Sequence, residues 1–185
     1  MRPDHLELIE ELLRKRYFGK YRGKVVDNND AQRLGRLKVT VDGIIDNHGV
    51  WASACVPYAG PSVGFHFLPP SGALVWVEFE GGDPSFPIWT GCTWASGDLP
   101  QEVVSADTRL IRTQQAQIVV DDTAGRVLIK NQLNASLTLA DDVKAEAGAA
   151  THTVGAAGVV SESAAGKVEV AAAGVTINNG AFKVT

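Results

Sequence analysis

The last eighty or so positions of this 185-residue chain contain almost nothing large. All four tryptophans, both cysteines and all eight prolines lie at or before Pro100, and beyond it the only aromatic residue is Phe182. With so few large side chains, the segment from Ser105 to Thr185 cannot build an ordinary globular core by itself. It either stays disordered or buries its apolar face against other copies. Other absences narrow the class. No apolar run approaches the length of a bilayer span, and the N-terminus shows no apolar core between positive charge and a small-residue cleavage site, so assembly in the cytoplasm is expected. The formal charge of −4 is too mild to suggest a nucleic-acid binder or a disordered acidic tail. Cys55 and Cys92 have no His or third Cys nearby to complete a metal site, and both sit in apolar strand-like segments. They read as buried free thiols, with a disulfide as the lesser alternative.

What is present begins with a helix. Asp4 and Glu7 have the form of a capping box, and Leu6, Ile9, Leu13 and Tyr17 follow at helical spacing until Gly19. Between Arg2 and Lys24 there are seven Lys or Arg against four Asp or Glu, so the local balance is basic. Arg14-Lys15-Arg16 is either a solvated run or a contact for an acidic partner. Five strand candidates come next: 21–26, 36–41, 50–56, 73–79 and 88–94. In the second, Leu37, Val39 and Val41 alternate with Lys38, Thr40 and Asp42, as in a half-buried strand. The fourth, Ala73-Leu74-Val75-Trp76-Val77, is apolar on both faces, so Leu74 and Trp76 are expected to meet another barrel. Five short antiparallel strands with Gly and Pro turns fit an OB barrel, with another small barrel or sandwich as the alternative.

Pro100 closes this region, because proline cannot donate to a sheet ladder. The organisation read from the chain is a helix over 1–18, a barrel over 19–97, a linker over 98–104 and a repetitive segment over 105–185. In the last segment the apolar residues alternate in groups: Ile118 and Val120, Val127 and Ile129, Leu137 and Leu139, Val168 and Val170, Val175 and Ile177, Phe182 and Val184. Asp, Asn or Gly turns separate most groups, giving a loose period of about eight to ten residues. A stack of short strands made by three intertwined chains would supply the missing walls and stay stiff along its axis. A flexible Ala- and Gly-rich tail is the alternative, but tails seldom alternate Val and Ile so regularly.

Catalysis finds little support. Asp121-Asp122 and Asp141-Asp142 sit where turns are expected, His5, His48, His66 and His152 lack triad partners, and Gly60-Pro61-Ser62-Val63-Gly64 lacks the Lys of a phosphate loop. The chain is read as a non-enzyme with no cofactor. An OB-fold module for nucleic acid or oligosaccharide is the main rival, with Trp51, Trp76, Trp89 and Trp94 as stacking platforms. Yet the barrel adds only Arg33, Arg36 and Lys38 between Ala31 and Pro100, too few cations to track phosphates. A trimeric fibre or adhesin is a third reading.

The barrel segment resembles the phage baseplate assembly protein V and valine-glycine repeat protein G spike families. The matching stretches are Gly23 to Asp30, Gly35-Arg36-Leu37-Lys38-Val39, Trp51 with Pro57-Tyr58-Ala59-Gly60, Phe67-Leu68-Pro69-Pro70 with Gly72, Val75 to Pro84, and Pro87-Ile88-Trp89-Thr90-Gly91. The resemblance implies an all-β homotrimer: a short helix, a five-stranded OB barrel and an intertwined trimeric β-helix. It would be the central spike of a contractile injection machine, in a phage tail or a phage-tail-like particle, driven by sheath contraction to pierce a membrane. It further implies a separate tube hub or baseplate partner, assigned to Arg14, Lys15 and Arg16. Some relatives end in a metal-binding His-x-His, whereas this chain has only Thr151-His152-Thr153. A blunt end is therefore expected, capped by a PAAR-repeat tip protein that lands on Phe182 and Val184, with an effector as optional cargo. One His per chain gives three about an axis only if each points inward, and a surface or packed His is the simpler reading.

Overall fold

The structure, a computed structural model, describes residues 9, 10 and 13–184, and it divides into two units, Met1–Leu99 and Pro100–Thr185. The proposed capping box and Leu6 lie outside the described residues. Ile9, Glu10, Leu13 and Arg14 are helical, with Ile9 and Leu13 exposed. Tyr17 has left the helix and closes one end of the barrel instead. Its N–H donates to the Gly82 carbonyl at 2.8 Å, and its ring packs with Tyr21 and Phe79 at centroid distances of 6.1 and 5.9 Å.

The first unit contains β1 (Tyr21–Asp27), β2 (Leu37–Val41), β3 (Ile45–Ala54), the small hairpin β4 (Ala59–Gly60) and β5 (Val63–Gly64), then β6 (Leu74–Phe79) and β7 (Pro87–Thr93). Five of these close a barrel in the order β1-β2-β3-β7-β6, with β3 and β7 parallel and every other pairing antiparallel. This is the OB arrangement. Alternation puts Leu37, Val39 and Val41 inside at 2% exposure or less, and Val75 and Val77 at 0%, while their neighbours face outward. Trp89 completes the core, and its indole N–H donates to the Gly35 carbonyl at 3.1 Å.

The strand that departs most from the 50–56 expectation is β3, which starts five residues earlier. An excursion at residues 46–49 hides the pairing in the sequence: Val41 faces Ile45, but Val39 faces Val50. The Asp46 carboxylate accepts the His48 N–H at 2.9 Å, and Gly49 takes φ +68° where a Cβ would lie 2.7 Å from Val26 Cγ2. Only glycine fits that bulge.

The second unit is one antiparallel meander. It runs through β8 (Thr108–Arg112), β9 (Ala116–Asp121), β10 (Arg126–Asn131), β11 (Ala135–Leu139), β12 (Val143–Ala147), β13 (Ala150–Gly155), β14 (Gly158–Ser163), β15 (Gly166–Ala171), β16 (Gly174–Ile177) and β17 (Phe182–Val184). Each strand pairs with the ones before and after it in sequence, so the ladder runs unbroken from β8 to β17. The turns follow from side chains. Asp121 Oδ1 accepts the Ala124 N–H at 3.0 Å, and Asn131 Oδ1 accepts those of Leu133 and Ala135 at 2.9 and 3.0 Å. Later the connections tighten to two residues, and Ala-Ala-Gly recurs every eight positions at 156–158, 164–166 and 172–174. At Gly158, with φ +134°, a Cβ would lie 2.1 Å from the Val170 carbonyl oxygen, so the repeat keeps glycine there for want of space.

Candidate functional site

Pairing partners in a sheet share a face, so the register of the meander sorts its side chains. One row on the first face runs Ile111, Ile118, Ile129, Leu137, Ala145, His152, Ser161, Val168, Ile177, Phe182. The row beside it runs Arg109, Val120, Val127, Leu139, Val143, Val154, Val159, Val170, Val175, Val184. All ten residues expected to form a spike core therefore fall in two adjacent rows on one face. The sheet also adds to them from strands with no legible apolar pair, β8 and β12 to β14. Strands about 4.8 Å apart make the face about 43 Å long, and two rows give a strip of about 600 Å². That is a large apolar area for a protein to leave in water. Ile129, for example, is 43% exposed.

The opposite face has a different chemistry. At its centre lie Leu110, Val119 and Leu128, and only Val119 is buried. From β11 onward it carries Thr138, Lys144, Thr153, Val160, Glu169 and Thr176 beside Ser136, Glu146, Thr151, Glu162 and Lys167, polar but for Val160. Ion pairs join Lys144 to Glu146 at 2.7 Å and Lys167 to Glu169 at 2.9 Å. The Lys144 ammonium beside Glu146 holds that carboxyl below the usual carboxylate range. Such half-exposed pairs add little stability but keep this face wet.

On the barrel, Leu74 and Trp76 point outward from β6 and are half-buried. The Arg22 guanidinium lies 5.7 Å from the Trp76 ring centroid, and Trp76 faces Arg22 on one side and Gly91 on the other. Trp51 carries Arg36 at 5.3 Å, Trp89 is buried, and Trp94 alone is open at 67% exposure. Three of the four supposed stacking platforms are thus already occupied. A cleft of about 780 Å³ opens between the β1–β2 connection and the β4–β5 hairpin, with Leu34, Phe65 and Phe67 in its walls and Arg33 as its single Lys or Arg. Sequence reasoning missed the group that builds this connection, Asp30. Its carboxylate accepts the N–H groups of Gln32 and Leu34 at 3.0 and 2.8 Å and pairs with the Arg36 guanidinium at 2.7 Å. The Arg36 hydrogen bonds, reinforced by those backbone donors, pull its pKa far below the ordinary carboxylate value. An acid six residues before an arginine, across a turn, was the available signal.

The remaining candidates are scattered. Arg16 donates to the Gly81 carbonyl and pairs with Asp83 at 3.2 Å, so it clips the entering chain to its own barrel, while Arg14 and Lys15 are exposed. Phe182 is exposed at the last strand, and Val184 pairs with Val175 through its backbone, its side chain lying outside those described. Asp121 and Asp122 bond in the β9–β10 turn region to Arg126 and Arg109, and Asp141-Asp142 lie in the β11–β12 turn. Cys55 and Cys92 are free but exposed, not buried as expected. Cys55 falls just past the end of β3, and Cys92, although paired with the buried Val75, lies near the end of β7 and stays open to solvent. Among the described residues no three His, Cys, Asp or Glu side chains gather as a metal site would require.

The closed barrel is the part of the chain that matches a known family. Residues 21–94 match the family model of the type VI secretion system/phage-baseplate injector OB domain. The match begins at the first residue of β1 and ends one residue past β7, so it covers the barrel and supports a structural role of the baseplate type. No curated protein matches the chain. Beyond the matched residues the meander stands on its own geometry. Among the described residues no helix is long and apolar enough to cross a membrane.

Proposed function

We propose that the chain is the central spike of the baseplate of a contractile injection machine and works as a homotrimer. The observation that carries this reading is the apolar strip along all ten strands of the meander, on a chain whose barrel matches an injector OB domain. Three sheets, each turning its strip inward, form a triangular prism with the ion-paired faces outside. Three strips of about 600 Å² hide about 1,800 Å² in all, within the range of stable assemblies. The backbone of each sheet is already paired, so the companions supply only side-chain contact. A prism of cross-strands resists bending and end-loading, which suits a part that delivers sheath-contraction work to a membrane.

In this role the protein is not an enzyme and needs no cofactor. Leu74 and Trp76 bring the barrels together, a tube hub or baseplate protein holds the first unit near Arg14, Lys15 and Arg16, and a PAAR-repeat tip protein, with any effector it carries, seats on Phe182 in the last strand of the meander. The occupied tryptophans and the single cation of the barrel cleft argue against a nucleic-acid module. Cryo-electron microscopy of particles carrying the labelled protein tests the reading. Density at the centre of the baseplate supports it, and density at the periphery replaces it with a fibre or adhesin.

A further inference from the structure

The two apolar rows differ in the information they hold. From Val120 to Val175 the second row is valine on every strand except at Leu139. From Ile111 to Ile177 the first row is Ile, Leu or Val except on three consecutive strands, where it carries Ala145, His152 and Ser161. His152 Nδ1 lies 2.7 Å from Ser161 Oγ, so from β9 to β16 the pair forms the one polar mark in the two rows. Among the described side chains of β12 to β14, no other titratable or charged group lies on that face.

Repetition makes alignment a problem. A strip whose levels are interchangeable does little to fix its axial position against its companions. Sliding one chain by a hairpin, about 9.6 Å, sets valine on valine again along the second row. The eight-residue Ala-Ala-Gly spacing keeps turns level with turns after such a slide. Only the polar mark resists. With the chains level, three His152–Ser161 pairs meet in one layer and can bond to one another. With one chain displaced, its pair keeps its internal bond but faces Leu137 or Val168, so His152 Nε2 is buried without a partner and carries the desolvation cost of an unpaired polar group.

Resting on the trimer reading above, we propose that His152 and Ser161 are the alignment key of the rod, a positioning pair that fixes the axial register of the three chains. A buried polar group that sets register is the best-attested use of such residues, and it works at some cost in stability.

The test uses the full chain with Cys55→Ser and Cys92→Ser, and a spin label at Ala157→Cys in the exposed β13–β14 turn. Light scattering first establishes the mass, and pulsed dipolar spectroscopy then measures distances between labels. The parent is expected to give a trimer with one narrow distance. His152→Val is expected to give a trimer that melts at a higher temperature yet shows two or more distances, with at least a third of the trimers displaced, and His152→Gln restores the single distance. Ser161→Val serves as the second variant if His152→Val fails to fold. A trimeric His152→Val or Ser161→Val with one narrow distance overturns the key and leaves the trimer standing. A parent that is monomeric at every concentration overturns the trimer and the key together.

Discussion

Truncating Ile129 tests the inward face quantitatively. Ile129 is 43% exposed in the single chain, so packing it away hides about 75 Å² and contributes about 2 kcal/mol per chain at about 25 cal/mol per Å². Ile129→Ala removes most of this, about 1.5 kcal/mol per chain and about 4.5 kcal/mol per trimer, or roughly a thousandfold in the association constant. Because monomer and trimer are linked through the cube of concentration, the midpoint for trimer formation should rise about 30-fold, the square root of that factor. The control is Lys130→Ala, one residue along the same strand on the opposite face, which should leave the midpoint unchanged. Sedimentation over a dilution series reads both. Equal effects from the two variants, or none from Ile129→Ala, would refute the assignment of that face.

Three further outcomes follow from the geometry. Asp30→Asn should lower the melting temperature of the barrel by several degrees at neutral pH, because the Arg36 guanidinium loses its anionic partner. Since the folded-state pKa of Asp30 is depressed, its contribution is complete above about pH 4, the unfolded value, and is lost as pH falls below it, so the variant should show a flatter acid limb in thermal melts from pH 7 to 2. Gly158→Ala places a Cβ 2.1 Å from the Val170 carbonyl and should cost at least about 1–3 kcal/mol in denaturant titrations, with exchange of the β14–β15 amides accelerated. Trp76→Asp, outward on β6, should leave the barrel's circular dichroism intact while lowering the recovered trimer several-fold, and an unaltered trimer would sink the barrel-interface assignment.

The barrel was legible because its inward residues obey a period of two: Leu37, Val39 and Val41 read as one face before any coordinates. What escaped was local. The start of β3 hid behind the 46–49 excursion, Cys92 stays open to solvent near the end of β7 although its register partner Val75 is buried, and Asp30 passed for an ordinary turn residue although Arg36 stood six residues on. In the second unit the large alternating pairs marked six strands, and all ten residues chosen from them share a face. Strands β12 to β14 were missed as elements because alanine, serine and glycine weaken the contrast on which alternation depends.

The most direct measurement of the central claim is amide exchange by mass spectrometry on the purified chain at its native oligomeric mass, with apolar exposure followed by a hydrophobic dye. The account predicts a trimer in which residues 108–184 exchange slowly and no dye binds. A monomer that binds dye along an exposed strip, or a trimer whose residues 108–184 exchange as fast as an unstructured chain, would contradict it.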